Sequence, residues 1–245
     1  MRSFRPEEPL AFFDGIFVLN LPERSERLTA TRAELQRLDP AAAARLQVAP
    51  GVRATEAHGF PSIGAYGCFL GHLNILRNAR DRGLERILVL EDDVSFDPEL
   101  WKQDWPAVQT ALETAAWHIA SLGFEDSVST PDSSGGPLLP VVEPLMLAHC
   151  YAVHGRTLAA MISFLEEMMA REPGDPAGGP MHYDGALFHY TRDCAGVVRL
   201  RPRISLAGQR SSRSDIAGGR WFDRGVPWLR KAAERLRGVK NRLER

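Results

Sequence analysis

The chain has 245 residues, 44% of them hydrophobic and 25% charged, with a formal net charge of −1. That length can bury one substantial core, and the near-neutral balance excludes a general electrostatic pull on nucleic acid. Three cysteines (Cys68, Cys150 and Cys194) lie far apart with no CxxC pair, which argues against a zinc site and a disulfide framework and fits a reducing compartment.

The N-terminus, Met1 to Glu8, lacks the apolar core of a signal peptide, and no run is long and apolar enough for a transmembrane helix. The expected location is cytoplasmic. Gly15 to Leu21 reads as an apolar first strand. Pro22 suits a first helical position, and Leu28, Ala33, Leu35 and Leu38 then recur at roughly helical spacing over 23–38. Strand, tight turn and helix begin an α/β sheet. Asn20, Arg24 and Arg27 lie near that turn, where they meet either a nucleotide or solvent.

A short helix at Ala41 to Ala44 and an edge strand over 47–52 follow. Ile63 to Ala79 is a helix with a glycine-rich start, which permits close backbone approach to a neighbour or a ligand. Gly64 and Gly67 match no P-loop spacing. His72 within this helix is either a ligand contact or a core histidine bonded to its surroundings.

Arg86 to Val94 is the centre of the chain. Ile87, Leu88, Val89 and Leu90 read as a strand buried on both faces, and Glu91, Asp92 and Asp93 follow at once. Adjacent carboxylates inside a sheet are costly without partners, so they belong where the strand emerges, the edge at which open α/β sheets bind ligands. Hard oxygen ligands in such a cluster suit Mg²⁺ or Mn²⁺. The alternative is a solvated turn or helix cap, with Ser95 and Asp97 before Pro98 as the capping residues.

Beyond it come a helix over 98–114 with Trp101 and Trp105 at i,i+4, a strand over 117–123, a long loop over 125–140 and a strand over 145–153. A helix over 157–169 carries a core stripe of leucines and methionines, and a loop dense in Gly and Pro spans 171–180. Asp184, between Tyr183 and Gly185, is either a helix N-cap or a general base at the loop's edge. Val197 to Leu200 is a late strand, and Gln209 to Ile216 is a polar run with donors for phosphate or sugar. Residues 219–245 hold nine Lys and Arg against three acidic residues, with Trp228, Leu229, Ala232, Leu236, Val239 and Leu243 on one helical face. Such a basic amphipathic helix either lies on an anionic membrane surface or packs on the domain. The organisation expected is one domain over 1–218 and a tail over 219–245.

Five blocks in this order give the chain a resemblance to glycosyltransferase family 25, the lipooligosaccharide and procollagen galactosyltransferase group. They are Phe17 to Leu21 followed by Arg24 and Arg27, then Gly67 to His72, then Ile87 to Val94, then Tyr183 to Leu187, and last Ser214-Asp215-Ile216. The resemblance implies a GT-A-like, mostly parallel sheet flanked by helices that binds a sugar nucleotide. It implies that Glu91, Asp92 and Asp93 ligate Mn²⁺ or Mg²⁺ between diphosphate oxygens, and that Asp184 is the base of an inverting transfer. Asn20, Arg27, His72, Gln209 and Asp215 are placed around donor or acceptor by their blocks. The implied activity moves galactose or glucose from a UDP-sugar to a cell-envelope saccharide or glycolipid acceptor. Other classes compatible with the residues are an inactive glycosyltransferase-like binding or assembly protein and a metal-dependent nucleotidyltransferase. The chain departs from the family at Gly71, where a serine usually precedes the block histidine.

Overall fold

The computed structural model describes residues 7–125 and 135–210. A 3-10 turn at Pro9–Phe12 leads into β1 (Gly15–Asn20), α1 (Ser25–Leu38), α2 (Pro40–Ala44) and β2 (Gln47–Pro50). Then come α3 (Ile63–Asp81), β3 (Arg86–Glu91), β4 (Val94–Phe96), α4 (Pro98–Thr114) and β5 (Ile119–Glu125). The remainder is β6 (Leu138–Pro140), β7 (Met146–His154), α5 (Leu158–Ala170), α6 (Tyr183–Asp193), β8 (Arg199–Pro202) and β9 (Ala207–Gln209).

The sheet runs β2-β1-β3-β7-β5-β8-β6, with β9 also on β5 and β4 on β9. This is the expected α/β sheet flanked by helices, but its pairing is mixed rather than mostly parallel. β1 is parallel to β2 and β3, and β5 is parallel to β8 and β9. β7 runs antiparallel to both β3 and β5, as β4 does to β9 and β6 to β8. The reason is the connection between β5 and β7: no helix lies between them among the described residues, and an antiparallel return needs none, whereas a parallel one requires a crossover.

Strand residues alternate between two apolar layers, because successive side chains point to opposite faces. Ile16, Val18, Leu88, Leu90, Ala120, Leu122, Cys150 and Ala152 form one cluster with residues of α1, α2 and α4. Trp101, Trp105 and Trp117 are buried in it, and each indole N–H finds a backbone carbonyl, on Leu206, Pro9 and Leu112. The other face, carrying Leu19 and Tyr151, meets α3, which packs with α5 and α6. Capping sets several boundaries. Ser62 Oγ accepts from Ala65 N to start α3, and Asp97 caps α4, so the capping alternative holds for Asp97 and not for the acidic triplet. α1 begins at Ser25, which leaves Pro22 in the turn.

Candidate active site

β3 delivers Glu91 at its last position, and the chain turns through Asp92 and Asp93 into β4. The three carboxylates then diverge. Asp92 is buried and fully engaged: Asn20 Nδ2 donates to Oδ2 at 2.7 Å and Arg27 to Oδ1 at 3.0 Å. Asn20 is the last residue of β1 and Arg27 sits in the first turn of α1, so both reach Asp92 because β1 lies beside β3. The Asp92 carbonyl accepts from Thr31 Oγ1 and from Arg210.

Asp93 is equally buried but only half satisfied. Gln209 Nε2, on β9, donates to Oδ2 at 3.1 Å, and Arg27 stands 3.8 Å from the same oxygen, while Oδ1 has no partner. Burial, then the charges of Glu91 and Asp92, push the Asp93 carboxyl up to about 7 against the opposing pull of Gln209 and Arg27.

Glu91 faces the other way, toward α3, with Oε1 3.5 Å from His72 Nε2. Burial works to raise its carboxyl, but His72, His149 and Arg27 outweigh that and hold it below the usual range. His72 is buried, lies flat on Tyr183 with ring centroids 4.0 Å apart, and has Nδ1 3.0 Å from the Tyr151 hydroxyl. Tyr151 in turn donates to the Tyr183 hydroxyl. Cys68, one helical turn before His72, has its thiol pushed well up, first by burial and then by Glu91, Asp184, Asp93 and Asp92. All four carboxylates therefore lie within electrostatic reach of one sulfur.

Asp184 sits in the first turn of α6 rather than at its N-cap, which is His182. Its Oδ2 accepts from the backbone N of Leu147 at 3.2 Å, and Oδ1 from Gly185 N. Leu147 takes a φ of +75°, a conformation an L-residue adopts only under constraint. Arg199 of β8 is buried beside this group. Its Nε donates to Ser121 Oγ at 2.9 Å, one terminal nitrogen has no partner, and burial pulls the guanidinium down to about 10 against Asp184, Tyr183 and Tyr151.

Asn20, Arg27, Glu91, Asp92, Asp93 and Gln209 thus form one connected group, joined through Glu91 to His72. Asp184, on α6, lies within electrostatic reach of this group at Cys68. Asp215 and the expected helix over 219–245 lie outside the described residues. The sequence reading passed over Cys68, Tyr151, His149 and Arg199. Arg199 left one signal, a charged residue inside the apolar run of a late strand.

Among the described residues, the buried side-chain atoms without a hydrogen-bond partner are His72 Nε2, Asp93 Oδ1, His149 Nδ1, Arg199 Nη1 and Arg86 Nε. Folded proteins rarely leave such atoms unmatched. Four of these five belong to the cluster around Glu91 and Asp184, so the unmet polar capacity is concentrated in one place. Oxygen donors from Glu91 and Asp93 suit a hard divalent ion, and the orphan Oδ1 of Asp93 leaves it a coordination position. Asp92 has already given both oxygens to Asn20 and Arg27.

No family model matches the chain. It is 33% identical to Procollagen galactosyltransferase 1 of Danio rerio over 35% of this chain and 17% of that protein. It is 34% identical to Inactive glycosyltransferase 25 family member 3 of Homo sapiens over 45% of this chain and 22% of that protein. The matches therefore span about a fifth of the length of these curated relatives. Among solved structures, a glycosyltransferase involved in the glycosylation of the major capsid of PBCV-1 superposes with a TM-score of 0.51 at 11% identity, covering 82% of this chain and 93% of that one. At that identity the likeness concerns the fold. The chain has a GT-A-like fold, and its curated relatives are glycosyltransferase 25 family members, procollagen galactosyltransferases among them.

Proposed function

We propose that the chain is an inverting, metal-dependent hexosyltransferase that moves galactose or glucose from a UDP-sugar to a saccharide or glycolipid of the cell envelope. The observation that carries the reading is Asp93: a buried carboxylate in the turn that leaves the central strand, with one oxygen unmatched and the charges of Glu91 and Asp92 acting on it. Glu91 and Asp93 would hold Mn²⁺ or Mg²⁺. Asp92, clamped by Asn20 and Arg27, fixes the turn that presents them and joins the ligand set if Arg27 moves onto the donor diphosphate. The ion, when bound, neutralises the charge that develops on the departing diphosphate.

Inversion forms a bond from the acceptor oxygen to the anomeric carbon as the bond to the diphosphate oxygen breaks on the opposite face. Asp184 takes the hydroxyl proton. The backbone N–H groups of Leu147 and Gly185 hold its carboxylate in place, and each oxygen keeps a lone pair for the proton. His72, Gln209 and Asp215 contact donor or acceptor in this reading. The work is set on the cytoplasmic side, with residues 219–245 as a contact to an anionic membrane surface.

Asp93→Ala is expected to abolish Mn²⁺-dependent binding of UDP-galactose or UDP-glucose in calorimetry. Unchanged binding would take the metal away from this carboxylate. One observation favours a second reading, an inactive binding protein: Asp92 is satisfied without any ion. UDP release in the presence of acceptor separates the two.

A further inference from the structure

Cys68 and His72 stand at i and i+4 on α3, hence on one face, and Glu91 meets them from the end of β3. The Cys68 Sγ, a His72 ring nitrogen and a Glu91 oxygen all lie within 4.8 Å of one another. We propose that these three side chains form a site for a thiophilic divalent cation of the Zn²⁺ or Co²⁺ class, which differs in its sulfur and nitrogen donors from the oxygen-only site at Asp93 and shares Glu91 with it.

The tautomer of His72 is the first argument. Because Tyr151 gives its hydroxyl proton to Tyr183, the Nδ1 of His72 donates to the Tyr151 oxygen. In the neutral ring the lone pair is then on Nε2, which is buried, has no hydrogen-bond partner and faces Glu91 Oε1. A lone pair facing a carboxylate oxygen needs a positive charge between them, either a proton on Nε2 or a metal ion. An imidazole whose far N–H is held by a second group is also how metal-binding histidines are oriented.

Distance is the second. The 3.5 Å from Nε2 to Oε1 is long for a hydrogen bond and close to the edge of about 3.3 Å expected between N and O ligands of tetrahedral zinc. The sulfur has to close by at most about an ångström, within reach of a cysteine side-chain rotation. On binding, the S–H bond breaks, the proton leaves to solvent and the sulfur bonds the metal. The Glu91 side chain is 21% exposed, so an ion can reach this group from solvent. Thiolate and imidazole select Zn²⁺ and Co²⁺ over Mg²⁺ and Mn²⁺. The absence of a CxxC pair hid this set, because its third member comes from another element.

The test is Co²⁺ titration of the full metal-free chain without sugar nucleotide, read by optical absorption. A thiolate-to-cobalt charge-transfer band is expected at one equivalent, absent in Cys68→Ser and His72→Gln and retained in Asp93→Asn. Tyr151→Phe, which removes the partner of Nδ1 together with the donor to the Tyr183 hydroxyl, should weaken Zn²⁺ by about 10- to 100-fold in competition with a chromophoric chelator. In the unaltered protein, Zn²⁺ but not Mg²⁺ should protect Cys68 from alkylation, a readout that needs no variant to fold. No band, a band surviving in Cys68→Ser, or equal alkylation with and without Zn²⁺ would overturn the site and leave a His72–Glu91 ion pair in its place. Since no donor or acceptor is present, these outcomes are independent of whether the chain transfers sugar.

Discussion

Asp92 and Asp93 are neighbours of the same type with opposite situations. One is saturated by Asn20 and Arg27; the other keeps a free oxygen and a carboxyl raised to about 7. The sequence showed that carboxylates gather at this strand end. It could not divide their labour, because the partners come from residues 65 to 116 positions away. Asp184 illustrates the same limit. Its block was legible, but its hold on Leu147 depends on the start of β7 meeting α6. Asp184→Asn keeps an oxygen for Leu147 N and loses the basic site, so UDP-sugar binding is expected to survive while turnover falls by about 10²-fold or more. Retained turnover would remove Asp184 from the chemistry. A pH effect arises elsewhere. His118 Nδ1 accepts from Val198 N and His154 Nδ1 from Arg156 N, which only a neutral ring can do. Burial first, then the Arg156 guanidinium, lowers both. The unfolded chain therefore takes up these protons at higher pH than the folded one, so stability is full above about pH 6.5 and declines as pH drops below it. The urea midpoint should fall between pH 7.5 and 5.5, and fall less in His118→Gln; an equal fall would exclude His118 as a source.

At the scale of elements, the glycines of α3 have a packing role. A Cβ on Gly67 would stand 2.2 Å from the carbonyl oxygen of Val52, and one on Gly71 would stand 2.5 Å from Leu19 Cδ1. The helix thus approaches both the backbone beyond β2 and the apolar end of β1 as closely as a bare Cα permits. Leu19 also accounts for Gly71 where family members usually carry serine: its side chain occupies the space. Gly67→Ala would gain up to about 1 kcal/mol of helix propensity, but α3 would have to shift away from a backbone atom that cannot rotate aside. A net loss of about 1–3 kcal/mol is expected from chemical denaturation, and no loss would mean that the contact relaxes freely. Long elements were readable from their periodicity. β4, β6 and β9 were not, since each has three residues and too little pattern to stand out from a loop. Two of them matter here, because β9 brings Gln209 to Asp93 and is held on β4 by three residue pairs.

Across the molecule, the apolar runs and acidic strand end disclosed an α/β sheet with a ligand edge. The mixed pairing was hidden, because direction depends on how the chain returns rather than on how apolar a strand is. β7 is where it matters. It lies between β3 and β5, contributes Tyr151 to the site from its middle, and holds Asp184 through Leu147 near its start. A chain ended at residue 125 would leave the buried strand β3 with an open edge, and is expected to be recovered in the insoluble fraction where residues 1–210 stay in solution. Soluble, folded 1–125 would show that β3 needs no β7.

That central insertion has a kinetic side. A ribosome that has released β3 and β5 has made two strands with no strand yet available to join them, and the joining piece is complete only at His154, well after β5 has ended at Glu125. Closure of the sheet is consequently a late, long-range event with a slow rate. Until it happens, Ile87 to Leu90 are an apolar ribbon open to other nascent chains, which makes slow translation or chaperone shielding across that interval the condition for good yield.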